Sequence, residues 1–107
     1  MTNLPLDQKL AFDTELSVTL NGTTQLLGQL TNNPVILLVK NQSTASAFFA
    51  DNPGSTKGTT MIAGEEFVLD CRANNGMAHN MGFAINTPFY ATGAGVGTFK
   101  VSVLYAI

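Results

Sequence analysis

The run Val35-Ile36-Leu37-Leu38-Val39, entered through Pro34 and left through Lys40-Asn41, constrains this chain more than any other stretch. It is short, continuously apolar and rich in branched side chains, which favours a strand covered on both faces over a helix. Side chains alternate across a strand, so Val35, Leu37 and Val39 point one way while Ile36 and Leu38 point the other. One set can enter a domain core. The other needs a cover of its own: a second layer, the N-terminal arm or another subunit.

The rest of the chain reads as strands and turns. Residues 1–9 are expected to form an extended arm, since Pro5 disfavours regular pairing. Phe12, Thr14, Leu16, Val18 and Leu20 alternate with polar residues as one half-buried strand. Asn21-Gly22 then predicts a type I′ hairpin returning through 23–30. Asn32-Asn33-Pro34 leads into the two-faced strand, and 41–44 reads as a polar turn. Further strands are predicted over 45–50, 59–62, 66–71, 82–86, 88–92 and 98–107. Asp51-Asn-Pro-Gly-Ser-Thr-Lys-Gly58, the stretch 72–80 and Gly93-Ala-Gly-Val-Gly97 are the expected loops. No ten-residue window carries a helical period with caps. About seven to nine short strands at this spacing predict an all-β fold, a single antiparallel β-sandwich over 10–107, with jelly-roll and immunoglobulin-like topologies both open.

At 107 residues the chain is one domain, long enough to bury roughly two-thirds of its unfolded surface without staples. Charged residues make up only 11%, against a usual share of about 25%. Thr, Asn, Ser and Gln take their place, and a net charge of −2 gives copies little mutual repulsion. Lys9, Lys40, Lys57, Arg72 and Lys100 are scattered and form no basic patch, which argues against nucleic-acid binding. The start of the chain lacks an apolar signal-peptide core and no apolar run approaches 18 residues, so neither secretion nor a membrane span is expected.

Candidate chemistry is thin. Cys71 and His79 are the only thiol and imidazole, too few for a structural zinc site, which needs four ligands. Cys71 shares its predicted face with Phe67 and Leu69, an environment that raises a thiol pKa and makes it inert. Glu65, Glu66 and Asp70 read as solvated charges, because a catalytic carboxylate pair must converge in a cleft. The glycine loop 93–97 matches no phosphate-binding pattern and precedes no helix. No catalytic residue, metal or cofactor is therefore predicted. Loop side chains Asn52, Lys57, Asn74 and Asn75, with Phe89 and Tyr90 beside a loop, are the candidates for an exposed recognition surface. The stronger signal is surplus apolar surface. Ile36, Leu38, Phe48, Phe49, Met77 and Met81, with Leu4 and Leu6 of the arm, are the candidate protein–protein contacts.

Four segments carry a resemblance: Glu15-Leu-Ser-Val-Thr-Leu-Asn-Gly-Thr, Val39-Lys-Asn-Gln-Ser, Ile62-Ala-Gly-Glu-Glu-Phe-Val-Leu-Asp70 and Gly97-Thr-Phe-Lys-Val-Ser-Val-Leu-Tyr. Their order resembles the small β-sandwich virion proteins of tailed bacteriophages that decorate or cement heads. The likeness implies a non-enzymatic structural protein, made in the host cytoplasm and carried on the virion surface. Its implied partners are the major capsid protein and copies of itself, as a trimer or other small cyclic oligomer. The competing expectation is a host-receptor or glycan-binding module of a tail or fibre, working through 51–58, 72–80 and 88–97. The paired Cys and core Trp of immunoglobulin domains are absent.

Overall fold

A computed structural model of the chain describes residues 9–54, 56–71 and 83–106. Among them are nine strands: β1 (Leu10–Phe12), β2 (Leu16–Thr19), β3 (Thr24–Gln29), β4 (Pro34–Ser43), β5 (Ala47–Ala50), β6 (Gly58–Met61), β7 (Glu66–Asp70), β8 (Pro88–Gly93) and β9 (Gly97–Ala106). All ladders are antiparallel. One sheet runs β9-β4-β7, with β1 and β2 in succession along the free flank of β9; the other runs β3-β8-β5-β6.

The pairing is nested. β2 meets β9, β3 meets β8, β4 meets β7 and β5 meets β6. The chain is one long hairpin bent at the β5–β6 loop, and the β4·β9 and β5·β8 ladders form where that hairpin rolls over itself. This is jelly-roll wiring, and it decides between the two topologies left open above. Rolling also covers one face of the two-faced strand. β4 lies between β9 and β7, with Leu37 and Val39 fully buried between the sheets.

The core packs Leu37, Val39, Phe99, Val101 and Val103 of the first sheet against Leu27, Phe49, Met61, Phe89 and Ala91 of the second. Phe49 is its hub, stacked on Phe89 at 5.2 Å and on Phe99 at 5.7 Å, and edge-on to Phe67 at 6.3 Å. Each large side chain buried here contributes about 1.5–3 kcal/mol.

Several expectations are corrected. Asn21-Gly22 is not a hairpin turn, because β2 and β3 belong to different sheets. Gly22 takes φ +89° but Asn21 does not share the positive φ that a type I′ turn requires. Asn21 Oδ1 instead accepts from the Thr23 N–H and hydroxyl, and the Gly22 N–H donates to Gly93. The alternating run from Phe12 is two strands. Phe12 faces Leu104 and Leu16 faces Val101, so four steps along this strand oppose three on β9. That extra residue is a bulge, and it turns Phe12 outward while Leu16 stays in the core.

The polar stretch after Val39 is no turn up to Ser43: β4 continues through it. Asn41 is wholly buried, with Nδ2 3.0 Å from the carbonyl oxygens of Ala45, Met61 and Ile62. Its Oδ1 accepts from the Ser43 N–H and hydroxyl. The described part of 82–86 is a turn in which Thr87 donates to Ala84 and Asn86 holds φ +68°. A second bulge, at Leu26/Gly28 of β3, presses Gly28 (φ +148°) so close to Leu16 that a Cβ would sit 2.8 Å from its Cδ2.

Candidate functional site

The bulge at 13–15 and the register of the first sheet together assemble an apolar band on its outer face. Phe12, Leu104 and Ile36 are successive cross-strand neighbours on β1, β9 and β4, and the row ends at Asp70 of β7. The next row places Leu38 between Ser102 and Val68. Cross-strand neighbours stand about 4.5–5.5 Å apart, so these side chains form one continuous strip rather than isolated exposed residues. It spans four strands, roughly 15 Å at ordinary strand spacing. Phe12 and Val68, at its two edges, are 70% and 60% exposed, while Ile36, Leu38 and Leu104 are half-buried. The row beyond Leu38 is charged: Lys100, Lys40 and Glu66 lie side by side. Lys40 and Lys100 repel as direct neighbours, and Glu66 on the other side of Lys40 offsets part of that.

Ile36 and Leu38, two of the candidate contacts, lie on the outward side of the two-faced strand, a side that sequence alone left open. Phe48 is also outward, half-buried on the other sheet beside Thr92 and Thr60. Phe49 is corrected: it points inward as the core's hub and is only 5% exposed. Adjacent residues on a strand cannot share a face, and the sandwich takes the second of the two aromatics. Phe89 is corrected too. It was expected beside a loop, but it sits fully buried on β8, and Tyr90 is half-buried on the same strand. Asn52 and Lys57 do lie in the β5–β6 loop. Leu4, Leu6, Asn74, Asn75, Met77 and Met81 lie outside the described residues, as does His79.

Phe12, Val68 and Leu104 were not singled out from sequence. Val68 and Leu104 could have been, since each alternates with core-facing neighbours. Phe12 could not, because only the bulge reverses its face.

A second feature lies between the sheets at the β6 and β7 edges. It is a cleft of about 280 Å³, with Phe49 and Phe89 as its floor, Phe67, Leu69 and Phe83 as its walls, and Asp51 and Lys57 at the rim. Asn52 shapes that rim. Its Nδ2 donates to the Lys57 carbonyl and its Oδ1 accepts from the Thr56 N–H, closing the loop across its neck.

The remaining polar groups do structural work. Burial, reinforced by the Asp70 charge, pushes the Cys71 thiol up despite an opposing hydrogen bond from the Phe83 backbone. A thiol shifted that way is a poor nucleophile. Glu65 Oε1 accepts from the Ile62 N–H and fastens the β6–β7 turn. Asp13 accepts from the Asn32 amide, the Thr14 N–H and the Thr31 hydroxyl, which hold its carboxyl below the ordinary value. Among the described residues no three His, Cys, Asp or Glu side chains converge on a metal-sized site. Nor is any helix among them long and apolar enough to cross a membrane. The chain matches no protein-family model, no curated protein and no solved structure.

Proposed function

We propose that this chain is a non-enzymatic structural protein of a bacteriophage virion, decorating or cementing the capsid through the outer face of its five-stranded sheet. The observation that carries the reading is the strip Phe12-Leu104-Ile36-Leu38-Val68, which crosses that sheet from edge to edge. Contiguous apolar surface on a soluble sandwich marks a site of association, and a low-charge patch rich in aromatic and aliphatic groups is what interface cores use. The jelly roll supports the reading by analogy of fold, since viral capsid proteins use it; lectins use it as well. The contact is with further copies in a small cyclic oligomer and with the major capsid protein.

Two measurements test this against the lectin reading. The protein should pellet with purified phage heads, and its melting temperature should not respond to calcium or to a panel of glycans. A ligand that binds only the folded state raises that temperature. A glycan-dependent rise without capsid binding would contradict the proposal and favour a receptor-binding module.

A further inference from the structure

We propose that the cleft between the β6 and β7 edges binds a small, uncharged, bicyclic aromatic molecule. Size comes first. A cavity of roughly 150 Å³ lined by Leu, Ile and Phe accepts benzene. At about 280 Å³ this cleft is nearly twice as large, which suits two fused rings. Lining chemistry comes second. Phe83 stands edge-on to Phe89 at 5.0 Å and 84°, and Phe67 edge-on to Phe49 at 6.3 Å and 67°. Floor and wall therefore offer both ring faces and ring edges, the two surfaces an aromatic guest prefers to meet. An ion would lose its hydration against such walls without recovering it, so the guest is neutral. The rim carries two opposite charges: Asp51 can accept from a guest N–H or O–H, Lys57 can donate to a guest oxygen, and Asn52 keeps the loop that carries them closed.

Indole is the probe, and the chain suits it because it contains no Trp, so indole emission reports on binding alone. Titration should give a saturable blue shift of that emission and a rise in melting temperature with indole concentration. Thr59 lines the cleft from exposed edge strand β6, so Thr59→Phe should fill the mouth and weaken binding by about tenfold or more. If Thr59→Phe fails to fold, Leu69→Phe on the opposite wall serves the same purpose. Ser17→Ala, exposed on β2 and outside the cleft lining, should leave the titration unchanged. The proposal is overturned if indole gives no saturable shift, or if the cleft-filling variant binds it as well as the parent does.

Discussion

On the outer face of the four-stranded sheet, Thr24, Thr92, Phe48 and Thr60 form one cross-strand row, and the Thr24 and Thr92 hydroxyls share a 2.9 Å hydrogen bond. On the five-stranded sheet the corresponding row is Phe12, Leu104, Ile36 and Asp70, with Leu38 and Val68 in the next. Both faces belong to strands whose inner sides are buried, so the fold itself asks nothing more of either. One sets Phe48 among threonines that satisfy part of their own hydrogen bonding, and its apolar groups, Phe48 and the Leu26–Tyr90 pair, are broken up by that polar row. The other keeps apolar groups where hydroxyls would serve the monomer equally well. The difference teaches that the five-stranded sheet carries a requirement beyond folding, and contact with another protein is the requirement such a surface meets.

Substitutions can sharpen or break that contrast. The largest effect should come from the inner side of the same strand: Leu37→Ala leaves a cavity in the core and should cost roughly 2–5 kcal/mol in denaturant unfolding. Asn41→Ala should follow. It strips hydrogen bonds from three carbonyls in and beside the core and should cost about 1–3 kcal/mol, read the same way. On the outer face, Phe12→Ser should change unfolding by no more than about 0.5 kcal/mol while weakening assembly. Equal destabilisation by Leu37→Ala and Phe12→Ser would erase the distinction between the two faces. The smallest effect concerns pH. Because its partners lower the Asp13 pKa, its charge stabilises the fold above the ordinary value of 3.8, and that contribution is lost as pH falls through the lowered value. Asp13→Asn should therefore lower the melting temperature slightly near neutrality and flatten the acid limb of the profile, so that variant and parent converge at low pH.

Much of the architecture was legible because strands announce themselves locally. The alternation in β7 and β9, the Ala63-Gly64 turn and the loop after Asp51 all fall where sequence reading puts them. Pairing is another matter. In this topology the β5–β6 loop is the one connection joining strands that pair with each other, so Asn21-Gly22 signals a turn correctly and its partner wrongly. The burial of Asn41 was hidden for a similar reason: its carbonyl partners include residues 20 and 21 positions away. The candidate site was half legible. Period two set Ile36 and Leu38 apart from Leu37 and Val39 without saying which pair faces out, whereas Phe12 joined them only through a one-residue bulge that no local pattern marks.

The most direct test of the central claim is the mass in solution, by light scattering across a concentration series, of the parent protein and of Leu38→Lys. The account predicts that the parent forms a closed oligomer, a small whole-number multiple of 11.3 kDa. It further predicts that the lysine variant falls to the monomer with its melting transition intact. A parent that stays monomeric at every concentration, or an oligomer indifferent to Leu38→Lys, would contradict the assignment of this face to contact between copies.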